Sequence, residues 1–293
     1  MPYLLALASA LLYGAADFIG GFTSKRAETV AVVLLSQFSG FIILALLVPL
    51  LPAVAPAGGD LLWGASAGIC GSIGVALLYR GLAIGTMAIV APTTAVCAVI
   101  LPVGAAAAMG ERLSTLAVAG IAMALIAIVM VGQESRRAEG SEGSDGAGGA
   151  AVRQRRIPAG FALAILSGIA IGGFFLSLAR ASADAGLWPL LVARGSSVAL
   201  FGAIVMGRGH SLRMPVSAAA MALGAGVVDM VANTLYLVAT WSGSLSIIVT
   251  LASLYPASTV LLARVFLRER LNGVQVAGVV GALAAVLLIV AGS

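Results

Sequence analysis

Charge is scarce in this chain. Asp, Glu, Lys and Arg make up 9% of its 293 residues, against about 25% in a soluble domain, so the polar surface that a water-soluble fold of this length needs is missing. Histidine is scarcer still, with His210 alone in a polar loop, and the only cysteines are Cys70 and Cys97. That inventory contains no His/Cys metal constellation, and neither a metal nor another cofactor is expected. Both cysteines fall inside apolar segments, where small buried thiols are a simpler reading than a disulfide. One loop histidine offers little for general-base work. No zinc-binding His-Glu pattern, Asp-rich lipid-phosphate motif or nucleophile–base pair occurs, which argues against an integral membrane enzyme. Glycine-rich stretches lack the strand-and-helix context of a phosphate-binding loop, so ATP is not the expected direct energy source. No soluble domain is present to suggest a scaffold or sensor.

Apolar residues are abundant instead. They form 61% of the chain, and the mean hydropathy is +1.13. Runs such as 113–132 and 274–292 reach the roughly 20 residues that a helix needs to cross hydrocarbon, and they do not alternate as barrel strands do. Breakers and charges divide the chain into ten apolar segments: 3–22, 30–51, 61–82, 87–108, 113–132, 158–180, 187–207, 215–239, 245–266 and 273–292. The first has no basic n-region ahead of it and reads as a membrane helix, not a cleavable signal. Connections such as 83–86 and 241–244 are too short for anything but antiparallel neighbours. The one long polar stretch, 133–157, is rich in Gly, Ser, Glu and Arg and reads as a flexible linker.

The segments repeat. Residues 85–113 lie over 243–271 without a gap, an offset of 158, and both stretches end in Glu-Arg-Leu, at Glu111-Arg112-Leu113 and Glu269-Arg270-Leu271. The same offset pairs Val118-Ala119-Gly120 with Val276-Ala277-Gly278, Ser9 with Ser167, Gly14 with Gly172, Ser39 with Ser197 and Gly68 with Gly226. The expected architecture is an all-α integral membrane protein of two five-helix repeats, 1–132 and 158–293, around a central cavity. Because five is odd, the second repeat starts on the opposite side of the bilayer and is inverted relative to the first. Arginine and lysine are concentrated after the odd-numbered segments, at Lys25, Arg26, Arg80, Arg136, Arg137, Arg153, Arg155, Arg156, Arg208, Arg213, Arg264, Arg268 and Arg270. The positive-inside rule then places the linker in the cytoplasm and both termini in the periplasm. Since most arginines flank apolar runs, the net charge of +5 suits lipid headgroups and not nucleic acid.

Ten helices in two repeats, each with a Glu-Arg-Leu turn between its fourth and fifth helices, resemble the drug/metabolite transporter superfamily, and within it the EamA-type exporters. Gly110–Leu113 carries the fuller form of the turn; the second copy has Arg268 where the glycine would be. In length and layout the chain is similar to bacterial aromatic and methionine-type amino-acid exporters. The resemblance implies a secondary transporter of the bacterial inner membrane, moving small metabolites such as amino acids, functional as a monomer. Export of drugs or other organic cations is the alternative.

Two acids fall deep inside apolar segments, Asp17 in the first and Asp229 in the eighth. Each costs about 2.5–3.5 kcal/mol at a membrane helix centre and so needs a reason. Asp229, Asn233, Tyr236 and Thr240 share one helix face, as do Ser9, Tyr13, Asp17 and Gly20. Such stripes must face protein or a wet cavity. One reading has them binding a zwitterionic or cationic solute; the other has the acids pairing with an arginine such as Arg194 or Arg80. The repeat does not preserve them: Asp17 aligns with Phe175 and Asp229 with Gly71. Tyr79, Tyr236 and Trp241 are aromatic cavity candidates, whereas Trp63 and Trp188 belong to the interfacial belt. Pro92, Pro102 and Pro256 are expected to interrupt the fourth and ninth helices, which points to Thr93 in Pro92-Thr93-Thr94 and to the stretch Ser253-Leu254-Tyr255-Pro256. The expected binding set is Tyr13, Asp17, Tyr79, Thr93, Asp229, Asn233, Tyr236 and Trp241.

Overall fold

The structure is a computed structural model that describes residues 2–50, 56–108, 114–133, 159–178, 180–209, 211–242, 251–252, 254–268 and 273–292. Both Glu-Arg-Leu triplets, His210 and residues 134–157 of the expected linker lie outside the described residues. The helices are α1 (Pro2–Thr23), α2 (Thr29–Leu47), α3 (Gly58–Ile84), α4 (Met87–Ala108) and α5 (Thr115–Gln133) in the first half. The second half holds α6 (Phe161–Leu178), α7 (Trp188–Arg208), α8 (Val216–Ser242), α9 (Tyr255–Phe266) and α10 (Gly273–Ala291). No strand occurs among the described residues. Among the described residues, six helices, α1, α2, α3, α6, α7 and α8, have the length and hydropathy to cross a membrane. Their outward leucines, Leu62 at 74% exposure among them, form an apolar surface that only lipid would cover.

Helix ends follow local chemistry. Asp60 in the first turn of α3 accepts from its own Ala57 N–H at 3.0 Å and from Ser182 N–H at 2.7 Å, so one carboxylate ties α3 to the loop before α7. Proline sits in the first turn of α7 and of α9, where its missing N–H has no helical partner to lose. Gly209 closes α7 in the left-handed region at φ 64°, which glycine adopts without strain.

The break expected at Pro256 is present: residues 251–252 are helical, Leu254 lies in a turn, and α9 begins at Tyr255 with the proline in its opening turn. The interruption expected at Pro92 and Pro102 is corrected, because α4 is one helix from Met87 to Ala108. α8 also continues to Ser242, so Trp241 is on the helix and not in the connection after it.

The inverted repeat is visible in the packing. α1 lies along α8 as α6 lies along α3, and α2 meets α8 as α7 meets α3. Two of the pairs at offset 158, Ser39 with Ser197 and Gly68 with Gly226, are contact residues of the matched α2–α8 and α7–α3 crossings. Ser197 donates to Gly68 O at 2.9 Å, and Gly68 lies so near the Ala193 backbone that no Cβ would fit. Equivalently, Ser39 donates to Leu223 O at 2.9 Å, and Gly226 lies against the Ser36 backbone. Small residues thus let backbones touch where two lipid-solvated helices have little else to draw them together. α5 and α10 pair with each other and with α4 through Val96, Val99, Ala124, Ala127, Ala282, Ala285 and Val286.

Candidate functional site

The crossings leave a cavity between the repeats. Its empty volume is about 680 Å³, open space at the mouth included. α1 and α8 supply Tyr13, Asp17, Asp229 and Asn233; α3 and α6 supply Gly71, Val75, Phe174 and Phe175; α7 adds Arg194, α2 adds Gln37 and α9 adds Tyr255. One side of the cavity is polar and the other is apolar and aromatic.

The polar side is built by helix spacing. Asp229 and Asn233 are one turn apart on α8, so Asn233 Nδ2 donates to Asp229 O at 2.8 Å and reaches Asp229 Oδ2 at 3.2 Å. From α1, Tyr13 Oη donates to Asn233 Oδ1 at 3.1 Å. Arg194 enters from α7, 7% exposed, over Gly40, where a Cβ would stand 3.4 Å from its Nε. Its Nη2 pairs with Asp229 Oδ2 and its Nη1 donates to Gln37 Oε1. Four helices therefore share one network, and the arginine neutralises the Asp229 carboxylate. The alternative reading of Asp229 as an arginine-paired acid thus describes its contacts, while the residue still lines the cavity.

Asp17 differs. It is 9% exposed and lines the same cavity, yet among the described residues no side chain or backbone group bonds to it. Tyr255 Oη is likewise buried with no hydrogen-bond partner.

Four of the eight expected residues, Tyr13, Asp17, Asp229 and Asn233, come together in the cavity wall. The other four stand outside that lining. Tyr79 is 1% exposed, its ring laid over Gly20 where a Cβ would collide with it. Thr93 is buried and bonds back to Ile89 O at 2.8 Å, the usual use of a mid-helix threonine. Tyr236 packs behind the wall against Phe175, ring centroids 5.8 Å apart. Trp241 is 45% exposed at the end of α8, far along the helix from Asp229. The side chain of Thr240 lies outside the described residues. Gln37, Phe174 and Phe175 were not singled out as site residues. A lone glutamine in an apolar helix was the available signal for the first; the phenylalanines carry none, because a cavity aromatic and a lipid-facing one look the same in sequence. Trp63, by contrast, is 41% exposed with the Arg180 guanidinium 6.0 Å from its ring, as a belt residue would be.

Comparison with known proteins adds the following. Residues 158–291 match the EamA-like transporter family. A solved crystal structure is similar over 97% of this chain and 95% of its own, with a TM-score of 0.57 and 18% identity, which speaks for the fold alone. No curated protein matches the chain.

Proposed function

We propose, from the match of residues 158–291 to the EamA-like transporter family, that the protein is a secondary transporter carrying small metabolites, amino acids foremost, across the bacterial inner membrane by alternating access. The observation that carries the proposal is the cavity at the junction of the inverted repeats, where acid, arginine and amide groups face an aromatic wall. Transporters with inverted repeats hold their solutes at such junctions, and two similar gates on opposite faces follow from the symmetry. A polar edge beside Phe174 and Phe175 suits a solute with a charged end and an apolar remainder. Tyr13, Asp17, Asp229 and Asn233 are the proposed contacts, with Tyr236 supporting Phe175 from behind.

In this proposal the linker faces the cytoplasm, both termini face the periplasm, and one chain is the working unit. The arginine-rich ends after odd-numbered helices support that orientation. Export of other organic cations is the second reading, favoured by the surplus of carboxylates in the cavity: Asp17 and Asp229 against Arg194 alone.

The test is counterflow of labelled amino acids and organic cations into liposomes holding the purified protein, without ATP. Saturable, solute-driven uptake is expected. Absence of counterflow for every amino acid tested, in protein that elutes as a folded species, would remove the amino-acid assignment. A reporter fused within residues 133–157 should score cytoplasmic and one at Ser293 periplasmic; the reverse would overturn the orientation and leave the repeat intact.

A further inference from the structure

The polar groups of the cavity divide into a satisfied set and an unsatisfied one. Arg194, Asp229, Gln37, Asn233 and Tyr13 bond to one another. Asp17 and Tyr255 line the same cavity, and among the described residues neither the Asp17 carboxylate nor the buried Tyr255 Oη has a hydrogen-bond partner. The second set comes from one crossing: Thr259 on α9 donates to Gly14 O on α1 at 3.1 Å, and Ser258 donates to Ala10 O at 3.3 Å. Tyr255 stands one turn before Thr259, and Asp17 about one turn beyond Gly14. A buried carboxylate and a buried phenol oxygen are costly to leave without hydrogen bonds, and together they offer the groups a polar ligand would bond.

What fits is set by charge and by hydrogen-bond sense. Asp229 is already neutralised by Arg194, which leaves Asp17 as the uncompensated charge among the lining residues. An ionised carboxylate only accepts, and a phenol oxygen both accepts and donates. An ammonium group, with its three donors and positive charge, answers both. A solute carboxylate has no comparable place, because the guanidinium is engaged by Asp229 and Gln37.

Resting on the transporter reading above, we propose that Asp17 and Tyr255 Oη form a subsite for the cationic nitrogen of the solute, so that the amine, and not the carboxylate, is the feature recognised. The apolar remainder lies against Phe174 and Phe175. An amine without a carboxylate is then held about as well as the parent amino acid, and the acid without its amine is refused.

Calorimetric binding to the purified full-length chain in detergent tests this with three probes of one side chain: phenethylamine, phenylalanine and 3-phenylpropionate. Binding in detergent avoids passive leakage of the amine through a bilayer. The amine and the amino acid should bind within about tenfold of each other, and the carboxylate-only probe at least tenfold more weakly than either. Asp17→Asn should lower amine affinity by about tenfold or more, as expected when a charge-assisted bond is lost, and Tyr255→Phe by about twofold to tenfold. Asp17→Glu should recover part of the loss. Should the Asp17 variants fail to fold, the three-probe series on the wild-type chain and Tyr255→Phe still decide. Preference for 3-phenylpropionate over phenethylamine, wild-type amine affinity in folded Asp17→Asn, or binding of none of the three probes would each overturn the subsite. The transporter reading fails separately, on the liposome counterflow, and survives a subsite that prefers carboxylates.

Discussion

The two long walls of the cavity are the same frame carrying different chemistry. The pseudo-two-fold exchanges α1 with α6 and α8 with α3, and the α1–α8 and α6–α3 crossings are matched in the structure. Where α1 has Asp17, α6 has Phe175; where α8 has Asp229, α3 has Gly71, with the Phe174 ring against it. Duplication thus accounts for the backbone contacts and divergence for the side chains. A cavity whose halves stayed identical would suit a symmetric occupant. One polar wall opposite one aromatic wall suits an amphipathic solute held in a single orientation.

The most disruptive way to break the comparison is to empty the polar wall of its arginine. Arg194→Ala leaves Asp229, whose side chain is 16% exposed, without its counter-charge, a loss of up to about 3–5 kcal/mol, the cost seen when one partner of a buried ion pair is removed. Thermal unfolding of the detergent-solubilised protein should show a large drop in the midpoint. The paired variant Arg194→Leu with Asp229→Leu removes both charges and should recover most of that stability, since an apolar replacement of a buried pair is often neutral. Near-wild-type stability of Arg194→Ala alone would mean that the ion pair does not hold α7 against α8.

The shared frame is tested at its two equivalent glycines. Gly68→Val drives a side chain into the Ala193 backbone, and Gly226→Val does the same at Ser36. Each should cost about 1–3 kcal/mol through overpacking, and the two losses should be similar because the contacts are equivalent. A large loss at one and none at the other would show that the repeats are not equally dependent on the crossing.

How much of this was readable beforehand follows from the same division. The repeat is written in residues that the backbone requires, such as Ser39 and Ser197 or Gly68 and Gly226, so it survives divergence and can be read as an offset. The polar wall announced itself because Asp229 and Asn233 are expensive in an apolar helix. The apolar wall did not, since Phe174 and Phe175 cost nothing wherever they point. Tyr79 and Trp241 were misplaced for a related reason: helical spacing gives a face but not depth, and Trp241 lies three turns beyond Asp229 near the helix end. The prolines divided: the ninth segment breaks just ahead of Pro256, whereas Pro92 and Pro102 sit inside an unbroken α4, and sequence alone does not say which proline a helix will tolerate.

The aromatic wall has its own variant. Phe175→Ala removes a ring that lines the cavity and rests on Tyr236. Affinity for a solute with a large apolar side chain should fall by about tenfold, some 1.4 kcal/mol, comparable with part of a phenylalanine's burial. Calorimetry against solutes of increasing side-chain size reads it: the loss should shrink with the side chain. An equal loss for the smallest solute would place the apolar remainder elsewhere.

The smallest expected effect is at the hydrogen bond that joins the two helices of the polar wall. Tyr13→Phe keeps the ring between α1 and α8 and deletes the Oη donor to Asn233 Oδ1. The amide oxygen then loses its partner, but Asn233 keeps both bonds to Asp229, so the network loosens at one end only. A cost of about 0.5–1.5 kcal/mol is expected, read as a modest fall in unfolding midpoint. Trp241→Ala, at an exposed position outside the wall, is the control and should stay within about 0.5 kcal/mol. If Trp241→Ala cost more than Tyr13→Phe, the polar wall would be held by its helix ends and not by the hydrogen bonds facing the cavity, and the contrast between the two walls would lose its energetic basis.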